Sequence, residues 1–222
     1  MKRRVTITAD GSKTIYIEDW NEHYHSKHGA IQEARHVFIE HGFNYVISQQ
    51  HCHELRLLEI GFGTGLNAYL TYLEARDKGI VVDYEGIDAY PVTQEELQQL
   101  NFSELVSSKH DTIFDKMHSS SWESNQIIDQ KFTLTKRQEF FTELHYTSAF
   151  DLIYFDAFGS RVQPELWEKA MFKIMYDALK PKGVLVTYSA KGDVRRGMTA
   201  LGFTVERLPG PPGKRHMLRA TK

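Results

Sequence analysis

The residues best suited to chemistry in this 222-residue chain are a glycine-spaced run, Glu59-Ile60-Gly61-Phe62-Gly63-Thr64-Gly65, and two later acids, Asp88 and Asp156. Glycines let a backbone turn sharply and approach a ligand where a Cβ would collide. A glycine-rich turn between a strand and a helix is where open α/β sheets bind nucleotide-like ligands. The spacing is G-x-G-x-G, shorter than the G-x-G-x-x-G of dinucleotide enzymes. Asp88 follows Gly65 by 23 residues, and a strand-end carboxylate there can accept both hydroxyls of a ribose. Asp is also common as a turn residue or helix cap, which is the alternative for both Asp88 and Asp156. Glu59 precedes the glycines at the end of an apolar strand. A buried carboxylate needs partners, and backbone N–H groups or a ligand ammonium would serve. Asn67, one turn into the next helix, can present its amide to the same pocket. Asp156 ends an apolar strand within the stretch Tyr154-Phe155-Asp156-Ala157-Phe158. An acid so placed can orient an amine and accept its proton.

The elements that must hold these residues follow from the apolar pattern. Leu55 to Ile60 reads as a buried parallel strand. Leu66, Tyr69, Leu70 and Leu73 then recur at helical spacing until Gly79. Val81 to Asp88 is a second strand, Phe132 to Thr135 a third, and Phe150 to Asp156 the clearest of all. A helix is expected from Pro164, with Trp167, Ala170, Met171, Ile174 and Ala178 on one face. Lys180-Pro181-Lys182-Gly183 should end it before a strand from Gly183 to Ser189. A short helix, Lys191 to Leu201, leads to an antiparallel pair, Phe203 to Leu208 and His216 to Ala220. Residues 92–130 read as polar, helical or irregular. Before the core, Val5–Thr8 and Thr14–Ile17 suggest a hairpin turning at Asp10-Gly11, followed by a helix from Ala30 to His41. Residues 1–50 are thus expected to be an N-terminal extension packed on the core, and residues 51–222 a catalytic domain.

Composition restricts the setting. Hydrophobic residues make up 41% and charged residues 25% of the chain, an ordinary globular mixture. No apolar run approaches the roughly 20 residues that cross a bilayer, and Met1-Lys2-Arg3-Arg4 is not followed by an apolar signal segment. The single cysteine, Cys52, excludes an internal disulfide framework and a cysteine metal cluster. A cytoplasmic protein without a metal is the expectation. The net charge of −2 hides an asymmetry: residues 180–222 carry ten Lys/Arg against two Asp/Glu. A basic end on an acidic body suits a polyanion, or is a solvated surface.

In glycine pattern, acid spacing and strand–helix order, with a terminal antiparallel pair, the chain resembles the class I S-adenosylmethionine methyltransferases. The fold expected is therefore a Rossmann-like α/β sheet, mostly parallel, ending in an antiparallel hairpin. A narrower resemblance rests on several blocks: Glu59 to Asn67; Asp156-Ala157-Phe158 with Pro164-Glu165-Leu166-Trp167; Tyr188-Ser189-Ala190; Val194-Arg195-Arg196-Gly197; and Gly213-Lys214-Arg215-His216-Met217-Leu218. Tyr24-His25-Ser26 and Glu33-Ala34-Arg35-His36-Val37-Phe38 add to it. Together these blocks are similar to the tRNA 5-methylaminomethyl-2-thiouridine methyltransferases, the methyltransferase half of the bifunctional MnmC enzymes and its stand-alone versions.

The resemblance implies S-adenosylmethionine as cofactor, held at Glu59, Gly61, Phe62, Gly63, Gly65, Asn67 and Asp88, with Asp156 beside the methyl acceptor. Where related enzymes often show Gly-Asp near the adenine ring, this chain has Arg137-Gln138-Glu139, so that either Gln138 or Glu139 is a candidate for the adenine amine. The flavin-dependent oxidase half of MnmC is missing, so methylation alone is expected. In an enzyme acting on the tRNA anticodon stem-loop, Lys191, Arg195, Arg196, Lys214 and Arg215 would contact phosphates. Tyr24, Tyr90, Phe158 and Trp167 would be candidates to stack on an extruded base, or pack in the core. Rival readings are a small-molecule N-methyltransferase, an aminopropyltransferase of the spermidine-synthase kind, and a non-catalytic RNA-binding module on the same fold. The aminopropyltransferases usually carry a G-G-G-D-G loop, absent here.

Overall fold

The computed structural model describes residues 2–222, Ser108 by its backbone alone. The chain opens with β1 (Arg3–Ile7), β2 (Lys13–Ile17) and β3 (Glu22–His23), a three-stranded antiparallel sheet. The first turn forms at Asp10-Gly11 as expected, with Thr8 N–H donating to Ser12 O at 2.8 Å. Asp10 has a second use: its Oδ2 accepts the N–H groups of Ile31 and Gln32, both at 3.1 Å, and so satisfies free donors at the next helix start.

That helix runs through α1 (Ala30–Ala34), a π-helical stretch (Arg35–Asn44) and α2 (Tyr45–Gln50). It is longer than the expected Ala30–His41. Gly42 does not stop it but serves as a packing glycine: a Cβ there would lie 3.0 Å from both Tyr154 Cε1 and Val186 Cγ2. Its lack of a side chain lets the helix sit directly on the main sheet. Val37, Phe38, Phe43 and Val46 are at most 1% exposed in that contact.

The main sheet contains β4 (Glu54–Ile60), β5 (Val81–Ile87), β6 (Asn125–Asp129), β7 (Phe132–Arg137), β8 (Phe150–Phe155), β9 (Leu179–Thr187), β10 (Thr204–Pro209) and β11 (His216–Thr221). Their order is β10-β11-β9-β8-β4-β5-β7-β6, parallel from β9 to β7 and antiparallel at both edges. The terminal hairpin is as expected. At the other edge, β6 is hidden in the sequence by the polar residues Asn125, Gln126 and Asp129. Between strands lie α3 (Leu66–Lys78), α4 (Gln94–Leu97), α5 (Phe102–Val106), α6 (Asp111–Ser119), α7 (Lys169–Ala178) and α8 (Gly192–Thr199). One apolar core packs α3, α6 and the N-terminal helix on one face of the sheet, and a second packs α7 and α8 on the other. No helix among the described residues is long and apolar enough to cross a membrane.

Two boundaries depart from the sequence pattern for identifiable reasons. The helix expected at Pro164 is a 3-10 turn (Pro164–Trp167) and then α7, separated at Glu168, which is extended at φ −84°, ψ 161°. The break turns Trp167 inward and rotates the later face, so Met171, Phe172, Met175 and Ala178 are buried while Ala170 is exposed. β9 begins at Leu179, before the Pro-Gly stretch rather than after it. Its register against β8 shifts between Phe150 and Leu152, and Lys182 sits at φ 65°, the kind of irregularity that admits a proline within a strand.

Candidate active site

Strand β4 is flanked by β5 on one side and β8 on the other, so the sheet's winding reverses at the carboxyl ends of β4 and β8. This is the position where open α/β sheets form a crevice. The glycine loop and Asp156 both emerge there, and the crevice widens into a cavity of about 620 Å³, within the usual range for small-molecule sites.

The loop is shaped by its glycines. Gly61, Gly63 and Gly65 have φ of 91°, 51° and 68°, values that disfavour any residue with a Cβ. A Cβ on Gly61 would stand 2.6 Å from the backbone oxygen of Asp156, and one on Gly63 would stand 3.2 Å from the Tyr24 ring. Gly61 and Phe62 donate their N–H groups to Ile87 O at 3.0 and 2.9 Å, which ties the loop to the end of β5. Phe62 turns inward onto Gly86, where no Cβ could fit.

Asp88 borders the cavity. Its Oδ2 accepts the Gly63 N–H at 2.8 Å and its Oδ1 accepts the Tyr90 N–H at 2.9 Å. Burial raises its pKa, and the two amides oppose that shift. Each oxygen keeps a lone pair for a hydroxyl donor. Asp88→Ala should therefore cost roughly tenfold to a hundredfold in S-adenosylmethionine affinity, since hydrogen bonds to a charged group are worth about 1.5–3 kcal/mol. Calorimetry on the folded variant measures this, and unchanged affinity removes Asp88 from the binding site.

Behind the loop a buried polar chain runs from Glu59 to Asp156. Glu59 is fully buried and accepts from Asn67 Nδ2 at 2.8 Å and from the Tyr84 hydroxyl at 2.6 Å. Burial pushes its pKa well up. It does not border the cavity, so it acts on a ligand only by fixing Asn67. The same Asn67 nitrogen donates to Asp156 Oδ2 at 2.9 Å. That leaves Asn67 Oδ1 buried, beside the cavity and without a partner. An orphaned acceptor there is costly unless a donor arrives, and the ammonium of the methionine part of S-adenosylmethionine is such a donor. With the Cβ-free loop and the free lone pairs of Asp88, the residues fit this cofactor.

Asp156 lies just past β8, its N–H donating to Ile60 O at 2.9 Å. Burial is the main cause of a pKa pushed up to about 7, with the nearby Glu33 carboxylate adding to it and Asn67 and Lys214 opposing it. Around it the N-terminal sheet forms a roof. Tyr24 and Trp20 meet the Phe158 ring edge-on, with centroids 5.0 and 5.4 Å away. His25 spans Thr14 Oγ1 at 2.9 Å and Thr64 Oγ1 at 3.1 Å, joining the roof to the glycine loop. Its pKa is lowered to about 4 by burial, so it is neutral at pH 7.

The other residues singled out in the sequence divide between wall, support and surface. Tyr24, Phe158 and Lys214 border the cavity, and Tyr90 stands at its edge, paired with Phe140 at 6.1 Å. Gln138 and Glu139 do not border it: the Gln138 N–H donates to Glu123 Oε1 at 2.7 Å, and the nearby wall is Phe140, Phe141 and Thr142. Gly65 lies behind the wall and begins α3. Trp167 is 7% exposed and donates to Phe158 O at 2.7 Å, so it supports the wall and offers no face for stacking. Lys214 is not a free surface cation, because its ammonium pairs with Glu33 and lies 3.8 Å over the Tyr188 ring. Lys191 bonds Ser160 Oγ and Arg196 pairs with Asp193, while Arg195 and Arg215 are exposed. Sequence reasoning missed Glu33, His25 and Tyr188 as site residues. Each lies in a block that carried the family resemblance, but nothing in local spacing placed them at the cavity.

The profile of a family of S-adenosyl-L-methionine-dependent methyltransferases matches residues 101–222. The tRNA 5-methylaminomethyl-2-thiouridine biosynthesis bifunctional protein MnmC of Hydrogenovibrio crunogenus is 28% identical over 211 residues, 87% of this chain and 30% of that protein. The chain spans about a third of the length of the curated relatives it matches. Among solved structures, MNMC2 from Aquifex aeolicus superposes with a TM-score of 0.77 at 23% identity, over 99% of this chain and 69% of that one. Spermidine synthase from Thermotoga maritima shares the fold at a TM-score of 0.52 and 14% identity, over 99% of this chain and 72% of that one. The family profile covers more than half of the chain, so the chain belongs to the S-adenosyl-L-methionine-dependent methyltransferase family.

Proposed function

We propose that the protein methylates the exocyclic amine of 5-aminomethyl-(2-thio)uridine at the wobble position of tRNA, giving the 5-methylaminomethyl nucleoside. The observation that carries this reading is the pairing of an acidic end with aromatic walls in one cavity. Asp156 and Glu33 offer carboxylates, while Tyr24, Phe158 and Trp20 offer rings beside them. An amine carried on a flat base suits both features. The names of the relatives, which place them in tRNA 5-methylaminomethyl-2-thiouridine biosynthesis, support the same substrate.

When bound, S-adenosylmethionine supplies a methyl group activated on a positively charged sulfur. Asp156 accepts a hydrogen bond from the substrate amine, aims its lone pair and takes the proton that the nitrogen loses. A positive charge entering the cavity favours the carboxylate form of Asp156, so the base is readied by the reactants. Asn67 holds the other side of that carboxylate, and the Tyr188 hydroxyl fixes the following turn by donating to Ala157 O at 2.8 Å. The proposed reaction involves neither metal nor flavin.

The test is nucleoside mass spectrometry after incubating the protein with S-adenosylmethionine and tRNA that carries 5-aminomethyl-(2-thio)uridine. Conversion to the 5-methylaminomethyl nucleoside is the expected result. Unmodified tRNA, alongside methylation or aminopropylation of a free amine, would replace this reading with a small-molecule transferase. Cofactor binding with no transfer to any acceptor would leave an RNA-binding module.

A further inference from the structure

The outer face of the N-terminal sheet turns away from the cavity, and the methyl-transfer chemistry makes no use of it. The strand register places Arg4 opposite Tyr16 and Tyr16 opposite His23, so three side chains form a row across β1, β2 and β3. The Arg4 guanidinium lies 4.7 Å from the Tyr16 ring centre, and the Tyr16 and His23 rings are 4.6 Å apart at 43°. The Tyr16 hydroxyl donates to Asn21 Oδ1 at 2.9 Å, which fixes the central ring. Together with Thr6 and Lys27 the row lines a second concavity of about 340 Å³, with no carboxylate in its wall. Thr6 Oγ1 is buried there without a partner. The carboxylate of Glu18 lies 3.5 Å from Arg4, but both side chains are about half exposed, so water screens the pair.

His23 and Lys27 border both this groove and the cavity. Tyr24, the residue after His23, turns into the cavity against Phe158. The two concavities thus adjoin at this rim, so a chain with one unit in the cavity can continue across it into the groove. We propose that the groove formed by Arg4, Tyr16, His23 and Lys27 holds the RNA strand flanking the nucleotide in the cavity. Arg4 and Lys27 would meet phosphates, and the His23 ring, backed by Tyr16, would stack on the neighbouring base. Aromatic platforms beside cations are how single strands are held without sequence reading. Burial, aided by Lys27, lowers the pKa of His23. This inference rests on the proposed tRNA substrate and specifies where the tRNA lies.

The experiment is fluorescence anisotropy of an anticodon stem-loop RNA over a range of salt concentrations, with cofactor affinity measured in parallel to verify the fold. In Arg4→Ala/Lys27→Ala the log–log salt slope should fall by about 0.7 for each phosphate no longer neutralised, with weaker binding at every salt concentration. Tyr16→Leu should weaken binding about tenfold with the slope preserved, because stacking carries no counterion release. If the double variant fails to bind cofactor, Lys27→Ala alone decides the matter, and its slope should fall by about 0.7. Wild-type affinity and slope in these variants, while the wild type binds RNA, overturn the groove and leave the tRNA substrate standing. A wild type with no RNA affinity overturns both.

Discussion

Replacing Asp156 by Asn should lower turnover by about 10²–10⁴-fold, the usual worth of a general base, while cofactor affinity stays near that of the wild type. The two side chains are nearly isosteric, and an Asn oxygen can still accept from Asn67 Nδ2, which now donates to the carboxylate at 2.9 Å. What disappears is the ability to take a proton near neutral pH. Single-turnover methylation measured from about pH 6 to about pH 9 separates the possible roles. In the wild type the rate should fall in acid, at or below about pH 7, as Asp156 becomes protonated against the bound positive charge. In the variant the rate should climb with pH, because more of the amine is free without help. A large loss with no recovery at high pH would make Asp156 a positioning group only. Wild-type rates would make it a structural cap.

The same shift has a consequence for stability. The folded chain holds the Asp156 proton up to about pH 7, whereas the ordinary value is 3.8. Folding is therefore favoured by this group at low pH, and its contribution is lost as pH rises from about 4 to about 7. An Asn cannot ionise and escapes that loss. Asp156→Asn should then melt higher than the wild type above pH 7, with the difference shrinking towards pH 4. Thermal unfolding with pH as the variable measures it, and a lower melting point at pH 8 contradicts the burial argument. A variant more stable and less active is what a residue kept for chemistry should give.

The parallel core was legible because its strands are short apolar runs and its turns carry glycines at fixed positions. Leu55–Ile60, Val81–Asp88 and the terminal hairpin are found within a residue or two of their expected limits. Gly61, Asp88, Asn67 and Asp156 converge on one cavity because strand ends in a parallel sheet must meet at the same edge. What the pattern could not show is long-range. Glu33 and Lys214 are 181 residues apart and form one ion pair. A basic residue near the C-terminus therefore resembles a surface cation in sequence, although it belongs to the cavity wall. Gly42 misleads for a related reason: in sequence, a glycine that stops a helix and one that lets it pack closely look alike. The Gln138-Glu139 alternative rests on analogy of position, and the chain bends after β7 so that Phe140 and Phe141 form the wall.

Gly61→Ala should abolish measurable cofactor binding and lower thermal stability, an effect larger than that expected for Asp88→Ala. Three costs add at this position. A residue with a Cβ at φ 91° stores about 1–3 kcal/mol of backbone strain. The new methyl would stand 2.6 Å from Asp156 O and 3.1 Å from Asp156 C. These are backbone atoms, and no rotamer change can relieve the overlap. Asp156 cannot withdraw either, since its N–H is bonded to Ile60 O and the following turn is held by Tyr188. The loop must move instead, which breaks the Gly61 and Phe62 bonds to Ile87 O and pulls Gly63 away from Asp88. A control separates this from glycine replacement in general. A Cβ on Gly197, in α8, meets nothing within 4 Å, so Gly197→Ala should be neutral or stabilise by up to about 1 kcal/mol. Calorimetry with S-adenosylmethionine and thermal unfolding of both variants provide the comparison. If Gly61→Ala binds the cofactor as the wild type does, the loop has a way around Asp156. The contact between the end of β4 and the end of β8 would then not be what shapes the site.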